Sequence, residues 1–195
     1  MAILLTMLLQ AACSDSNRQP LVENAVVLAF GDSLTKGKGV GAQDSYPSEL
    51  SRLIHRPVLN YGVSGETTSE GLRRLPDVLL KTTPNLMILM HGGNDILRNI
   101  RRSETRDNLA AMIELGLSRG TQVVLIGIPE KSLFSSSAPQ YLELAEEYGL
   151  AFDDTIISTL LKKSEMKSDM LHFNKAGYSA VADRIHELLQ SEGLL

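Results

Sequence analysis

The chain contains a single cysteine, Cys13, among its 195 residues, and it contains no tryptophan. One cysteine excludes an intramolecular disulfide framework and any metal site built from several cysteines. Basic residues form only short runs such as Arg101-Arg102, and the formal net charge is -4. A polyanion requires a basic patch, so we expect no nucleic-acid partner. Packing of the core alone must therefore stabilise the fold.

The chain also lacks an apolar run long enough to span a membrane. The apolar stretch from Met1 to Leu9 is shorter than the roughly 20 residues that a spanning helix requires, but it suits the apolar part of an export signal. Ala11, Ala12 and Cys13 follow, and a polar stretch continues to Pro20. Residues 1–20 are therefore predicted to be an export or lipoprotein signal followed by a polar tether.

Small residues before a cysteine resemble the bacterial lipoprotein pattern, in which the cysteine becomes the lipidated N-terminus. Cys13 is thus a candidate lipidation site and membrane anchor, and the predicted location is the bacterial cell envelope, periplasmic or lipid-anchored. Gln10 and the lack of Lys or Arg before the apolar run depart from this pattern. The alternative is a frayed N-terminal helix with a small apolar cysteine, which would leave the protein in the cytoplasm.

Residues 21–195 have the size and composition of one domain, which we expect to be a monomer. The whole chain is 43% hydrophobic, and a chain of this length buries roughly 70% of its unfolded surface, enough for one core. Apolar runs rich in Val, Ile and Leu recur along it, as in strands that are buried on both faces. These runs are Ala25–Phe30, Val58–Asn60, Leu86–Met90, Val123–Ile128 and Leu150–Phe152.

Amphipathic helical patterns lie between the apolar runs. They cover Tyr46–His55, Glu66–Arg74, Ser103–Ser118, Tyr141–Tyr148 and a last segment that begins after Asn174. Pro76 is predicted to separate the second helix from a fresh turn that runs through Leu80, and Asn174 is predicted to cap the last helix. Regular alternation of strands and helices implies right-handed crossovers. The predicted fold is α/β, with a five-stranded parallel sheet between two layers of helices.

Three glycine-containing turns follow the first three predicted strands, at Gly31-Asp32-Ser33, Tyr61 to Gly65 and His91 to Asp95. In a parallel sheet the ligand site lies outside the carboxyl ends of the strands, so these turns are expected to meet at one edge. Glycines allow backbone N–H groups to approach a ligand closely. The N–H groups of Ser33 and Gly62 and the amide of Asn94 are candidate donors to an oxygen that becomes negative during a reaction.

Ser33, Asp169 and His172 supply the groups that a nucleophilic serine requires. A serine hydroxyl is a weak nucleophile, so it needs an imidazole to take its proton and a carboxylate to hold that imidazole in one tautomer. Ser33 could instead cap a helix, and Asp169 and His172 could be a surface pair. The convergence of the three turns on one edge favours the catalytic interpretation. No spacing of His, Asp and Glu suggests a metal site, and this chemistry needs no cofactor.

Four motifs, taken together and in order, resemble those of the SGNH superfamily of GDSL-type hydrolases. They are Gly31-Asp32-Ser33-Leu34, Gly62, Gly92-Gly93-Asn94-Asp95 and Asp169-x-x-His172. The stretch from Asn60 to Leu97 is similar to the bacterial branch of thioesterase I, lysophospholipase and arylesterase. The resemblance covers nearly the whole chain. His91 departs from the family pattern, because an aliphatic residue or glycine is more usual there.

The resemblance implies a flavodoxin-like sheet with strand order 2-1-3-4-5. It also implies that Ser33 is the nucleophile, His172 the base and Asp169 the residue that orients the base. Gly62 and Asn94 would then contribute to the oxyanion hole together with the Ser33 N–H. The implied function is hydrolysis of acyl carboxyl esters or thioesters, including lysophospholipids, through an acyl-enzyme on Ser33.

Three further residues are candidate substrate contacts. Leu133 and Phe134 lie among serines in the loop from Glu130 to Pro139 and are interpreted as an apolar flap over an alkyl chain. His91 is interpreted as a pocket-wall or packing residue rather than as a base. A carbohydrate O-acetylesterase with the same catalytic residues is the alternative function, although the lack of tryptophan argues against sugar binding. A non-catalytic binding module is a further alternative, but a binder has no need for Ser33, Asp169 and His172.

Overall fold

The computed structural model describes residues 18–131 and 136–195. Within them, five parallel strands form one sheet in the order β2-β1-β3-β4-β5, which confirms the predicted order. The strands are β1 (Val27–Gly31), β2 (Val58–Gly62), β3 (Leu86–Met90), β4 (Gln122–Ile126) and β5 (Ala151–Asp153). Every residue of β1 and β3 is buried, because these apolar strands lie in the middle of the sheet and are covered on both faces.

The α-helices of the described residues are α1 (Ser33–Lys36), α2 (Tyr46–Ile54), α3 (Thr68–Thr82), α4 (Gly93–Leu97), α5 (Arg102–Ser118), α6 (Pro139–Tyr148), α7 (Ile156–Leu161) and α8 (Lys175–Ser191). Helix α2 packs on α8, and α3 packs on α5. The step from β1 to β2 runs in the opposite direction across the sheet from the later steps. Right-handed crossovers in opposite directions place their helices on opposite faces, which gives the three layers.

The register of the central strands brings their carboxyl ends to the same level. Gly31 is paired with Gly62 on one side and with Met90 on the other. The residues that follow these three therefore emerge at one edge of the sheet. This is the edge at which the three glycine-containing turns were expected to meet.

Helix α3 differs from the sequence prediction, because Pro76 lies inside it rather than at a break. A proline in a helix interior costs about 3 kcal/mol. The buried side chains Leu75, Val78 and Leu79 lie on both sides of the proline, and burial of each contributes about 1.5 to 3 kcal/mol. Packing of this apolar face thus outweighs the lost backbone hydrogen bond. The short helices α4 and α7 were also absent from the prediction.

The start of α8 agrees with the prediction. The Asn174 side chain accepts a hydrogen bond from the Gly177 N–H at 3.0 Å, which satisfies a donor in the first helical turn. This cap fixes the point at which the chain leaves the loop that carries Asp169 and His172.

At the other end of the molecule, the described chain begins beside the amino ends of the strands. The Gln19 N–H donates to Gln122 Oε1 at 2.9 Å, and Gln122 is the first residue of β4. Cys13 and the rest of the predicted signal up to residue 17 lie outside the described residues. Among the helices that the structure describes, none is long and apolar enough to cross a membrane.

Candidate active site

The turn after β1 exposes Ser33 at the carboxyl edge of the sheet. Gly31 is required there, because a Cβ at this position would overlap the carbonyl oxygen of Met90 on the neighbouring strand. Asp32 is the N-cap of α1, and its Oδ1 accepts from the Leu34 N–H at 3.1 Å. Ser33 is therefore held as the first residue of a short helix directly after a buried strand.

The structure brings Ser33, His172 and Asp169 together. Ser33 Oγ lies 3.0 Å from His172 Nε2, and His172 Nδ1 lies 2.8 Å from Asp169 Oδ2. The imidazole is buried, whereas the side chain of Asp169 is 51% exposed. These are the contacts by which a base takes a serine proton and a carboxylate orients the base.

The environment of Asp169 favours its ionised form. Burial raises the pKa of this carboxyl, but hydrogen bonds from the Leu171 N–H, the His172 ring and the His172 N–H outweigh it and hold the pKa below its ordinary value. An ionised carboxylate accepts from Nδ1–H and so selects the tautomer whose Nε2 is free to accept. That nitrogen is the one that faces Ser33.

Asn94 is the second residue of α4, and it lines the same pocket as Ser33. Its Nδ2 donates to the main-chain carbonyl of Glu66 at 3.0 Å and lies 3.4 Å from Asp32 Oδ2. The second distance is long for a hydrogen bond. One N–H of the amide is therefore firmly held, and the other makes only a weak contact within the protein.

Gly62 does not lie where the sequence prediction placed it. Its N–H donates to Asn60 Oδ1 at 3.0 Å, and a Cβ on Gly62 would overlap the Lys36 nitrogen. Gly62 is the last residue of β2, where it packs against α1, and it is not among the residues that line the pocket with Ser33. The prediction is wrong because the chain runs three residues beyond the strand before it reaches the pocket.

Gly65 lies at the pocket instead. Its φ of +82° is in the left-handed region, which favours glycine, and a Cβ there would meet only Arg98 Nη2, at 3.9 Å. Its carbonyl accepts from Arg98 Nη2 at 2.8 Å. The sequence contains one sign of this role, because Gly65 is a second glycine in the same turn as Gly62.

Of the two interpretations of His91, pocket wall and packing residue, the structure agrees with packing. The residue is fully buried and does not line the pocket. Its Nε2 lies 3.1 Å from Glu66 Oε2. The ring fits here because α3 carries Gly71 beside it, where a Cβ would approach His91 Nε2 to 2.5 Å.

Two charged residues near the pocket, Glu66 and Arg74, have no sequence motif that marks them. Arg74 Nε and Nη2 each lie 2.6 Å from a carboxylate oxygen of Glu66. Burial raises the pKa of Glu66, but hydrogen bonds from His91 and Arg74 outweigh it, and the pKa lies below its ordinary value. Asp32 lines the pocket, and burial raises its pKa. Glu66 lies 34 positions after Asp32 and 25 positions before His91, so no local motif links these residues.

The pocket beside Ser33 has a volume of about 430 Å³. Its apolar lining includes Ile96, Leu97, Ile128, Ile157, Leu161 and Leu171, and Lys38, Glu130 and Lys131 add charged groups. Leu133 and Phe134, the predicted flap, lie outside the described residues. Among the residues described, no group of three or more His, Cys, Asp or Glu side chains is placed to hold a metal ion.

Comparison with known proteins gives matches over most of the chain. The GDSL-like Lipase/Acylhydrolase family matches residues 29–180. Esterase TesA of Pseudomonas aeruginosa is 31% identical over 122 residues, which are 60% of this chain and 59% of that protein. The chain thus spans less than two thirds of this relative.

Two further relatives are matched over more of their length. An arylesterase of Vibrio mimicus is 32% identical over 75% of this chain and 78% of that protein. Thioesterase 1/protease 1/lysophospholipase L1 of Escherichia coli is 26% identical over 84% of this chain and 83% of that protein. The crystal structure of AlinE4, an SGNH-hydrolase family esterase, superposes with a TM-score of 0.69 at 29% identity and covers 87% of this chain and 96% of that one.

Proposed function

Because the chain belongs to the GDSL-like lipase/acylhydrolase family and is a serine ester hydrolase, we propose that Ser33 is the residue that attacks the ester. Ser33 Oγ bonds to the carbonyl carbon while His172 Nε2 takes its proton. The tetrahedral intermediate collapses, and the His172 imidazolium gives that proton to the departing alkoxide or thiolate. Water then attacks the acyl-enzyme with His172 as base, and collapse releases the acid and Ser33. The observation that carries this proposal is the chain of contacts from Ser33 to Asp169 at the pocket wall.

We propose that the oxyanion is bound by the N–H groups of Ser33 and Gly65 and by the Asn94 amide. Gly65 replaces Gly62 in this role, because Gly62 already donates to Asn60. Asn94 has one amide N–H with only a weak partner in the protein, so it can donate to a developing negative charge. Such preorganised donors each contribute about 3 to 4 kcal/mol to the stabilisation of the transition state.

The pocket favours an acyl chain as the group that is bound. Most of the surface that its lining exposes is apolar, so burial of an alkyl chain is favourable at about 0.8 kcal/mol per methylene. An acetyl group would leave most of this apolar surface in contact with water. We therefore propose acyl carboxyl esters or thioesters as substrates, lysophospholipids included, over acetylated carbohydrates.

A chain-length profile tests this choice. We expect kcat/KM for p-nitrophenyl esters to rise from two carbons towards medium chain lengths, and Ser33→Ala to abolish turnover of every ester. An acyl thioester with the same chain serves as a second substrate class. Maximal activity on acetate, together with hydrolysis of acetylated sugars, would favour the O-acetylesterase instead.

We also propose that residues 1–20 direct the protein to the bacterial envelope, with Cys13 as the lipid anchor, and that residues 21–195 act as a monomeric catalytic domain. One chain supplies every residue of the proposed site. The tether joins the domain at the amino ends of the strands, opposite the pocket, so an anchored enzyme would present its pocket away from the point of attachment. Mass spectrometry of protein expressed from Met1 in a bacterium, with Cys13→Ser as control, tests this. An unmodified Met1 terminus in the cytoplasm would refute it.

A further inference from the structure

The main chain at Gly65 and Glu66 determines where two of the proposed oxyanion donors lie. Gly65 supplies one N–H itself. The carbonyl of Glu66 accepts from Asn94 Nδ2 at 3.0 Å and so fixes the amide that supplies another. A shift of this two-residue segment would move both donors relative to Ser33.

The side chain of Glu66 holds the segment of Gly65 and Glu66 in place. It is 6% exposed and is held by the two 2.6 Å contacts with Arg74. Arg74 is in turn fixed, because its Nη2 donates to the Tyr61 carbonyl at 2.8 Å and its guanidinium lies 4.0 Å from the centre of the Phe30 ring. His91 also contacts the Glu66 carboxylate.

His91 connects Glu66 to the helix that carries Asn94. Its Nδ1 accepts from the Gly92 N–H at 2.9 Å, so the ring proton is on Nε2 and is donated to Glu66 Oε2. Its carbonyl accepts from the Tyr141 hydroxyl at 2.8 Å. Asn94 follows His91 by three residues. His91 is therefore linked to Glu66 by a hydrogen bond and to Asn94 by a short stretch of main chain.

We propose that His91 is a positioning residue for ester hydrolysis. Its hydrogen bond to Glu66 holds the Glu66 carbonyl against Asn94 and keeps the Gly65 N–H and the Asn94 amide aimed at the oxyanion. His91 touches no reacting atom and acts only through these groups. This inference rests on the proposed function, since it requires that Asn94 and Gly65 serve the reaction on Ser33.

Two substitutions at His91 separate the effect of its hydrogen bond to Glu66 from the effect of the volume that the ring occupies. His91→Leu removes the donor, and His91→Gln places an amide nitrogen where Nε2 lies. With p-nitrophenyl butyrate, we expect His91→Leu to lower kcat about tenfold to a hundredfold, because a misplacement of catalytic groups by about 1 Å can cost about a hundredfold in rate. KM should change less than twofold, and His91→Gln should recover most of kcat. Equal kcat in all three proteins would overturn the proposal.

A double-mutant cycle shows whether His91 acts through Asn94. In an Asn94→Ala background the amide is gone, so His91→Leu should lower kcat by much less than it does in the wild type, with only the effect on Gly65 remaining. The same full loss in both backgrounds would overturn the proposal and indicate a general loss of structure. A wild-type enzyme that lacks Ser33 labelling and esterase activity would overturn the proposed function itself.

A spectroscopic measurement on the wild type reports the tautomer of His91 without relying on the activity of any variant. Long-range ¹H–¹⁵N spectra of protein labelled at histidine report which ring nitrogen carries the proton, and the His91→Gln spectrum identifies the His91 signals. We expect the Nε2–H tautomer at His91. The Nδ1–H tautomer would leave no proton for Glu66 and would overturn the proposal.

Discussion

Two aspartates lie close to Ser33, and their surroundings differ. Asp32 is fully buried, and burial raises its pKa. Asp169 is half exposed, and its pKa lies below the ordinary value because hydrogen bonds outweigh the effect of burial. Asp169 contacts the imidazole at 2.8 Å, whereas Asp32 caps α1 through the Leu34 N–H. We infer that Asp169 serves the reaction and that Asp32 shapes the turn.

The role of Asp169 predicts the result of Asp169→Asn. The asparagine oxygen can still accept from the Leu171 and His172 N–H groups, but its amide faces Nδ1 and favours the tautomer that cannot accept from Ser33. We expect kcat to fall about 10³-fold to 10⁴-fold, with little change in Tm. Steady-state kinetics and thermal unfolding measure the two effects. Asp107→Asn, at an exposed position of α5, is the control, and an equal loss in both variants would contradict the assignment.

Substitution by alanine should affect stability at Gly62 and catalysis at Gly65. Gly62→Ala should destabilise the fold, because its Cβ would overlap the Lys36 nitrogen. Gly65→Ala has space around its Cβ and a positive φ that costs about 1 to 2 kcal/mol, so its main effect should be a lower kcat. Urea unfolding and kinetics on both variants separate the roles. An active, stable Gly62→Ala protein would contradict the placement of this residue.

The sequence selects Ser33, Asp169 and His172, and the structure brings them together, because each lies in a short motif with its own chemistry. It does not distinguish Gly62 from Gly65, since both lie in the glycine-containing turn at the end of β2 and only the path of the loop decides which one reaches the pocket. The contact between His91 and Glu66 is equally hidden, because it joins residues from two strand ends that are 25 positions apart.

At the scale of elements, α3 links the site to the sheet. It begins at a capping box in which Thr67 and Glu70 exchange hydrogen bonds, directly after the segment of Gly65 and Glu66. Its first turn is also held by Asp95 of α4, whose Oδ2 accepts from the Thr68 N–H at 2.9 Å. The start of this helix therefore fixes the loop that carries Gly65, one of the three proposed oxyanion donors.

Removal of the cap should weaken α3 without removing a catalytic group. We expect Thr67→Ala to lower the free energy of unfolding by about 1 kcal/mol, because the Glu70 N–H loses its side-chain acceptor. Ser69→Ala, in the same turn, is the control and should change it by less than about 0.5 kcal/mol. Equilibrium unfolding in urea measures both. Equal stability of the two variants would contradict the importance of the cap.

The strands could be predicted from sequence within one or two residues at most ends, because buried parallel strands give continuous apolar runs such as Leu86 to Met90. The course of α3 through Pro76 could not be predicted. Local propensity favours a break at that proline, and only the burial of Leu75, Val78 and Leu79 in the assembled core reverses it.

For the whole molecule, the buried charges make stability depend on pH. The pKa of Glu66 is lower in the folded protein than its ordinary value because the bonds from His91 and Arg74 outweigh burial. Such a carboxyl stabilises the fold fully above its unfolded pKa, and the contribution is lost as the pH falls through the folded pKa. The contribution of Asp32 to stability depends on pH in the opposite direction. Burial raises the pKa of Asp32, so protonation of this carboxyl favours the folded state.

Glu66→Gln isolates the first of these contributions. At pH 7 we expect the variant to be less stable by about 2 kcal/mol, because Arg74 loses its charged partner. The difference should narrow as the pH falls below about 4.3, where an ordinary glutamate becomes protonated. Urea unfolding of both proteins between pH 7 and pH 3 measures it. A difference that does not vary with pH would contradict the ionised state of Glu66.

The role of Ser33 as the nucleophile is tested by the site at which a fluorophosphonate reacts. Such a reagent phosphonylates a serine that an imidazole activates, and the tryptic peptide of residues 19–36 contains Ser33 as its only serine. Mass spectrometry should find the adduct on this peptide at Ser33, with esterase activity lost in proportion, and no adduct in Ser33→Ala. Labelling at another residue, or an unlabelled Ser33 in an active enzyme, would contradict the assignment of Ser33 as the nucleophile.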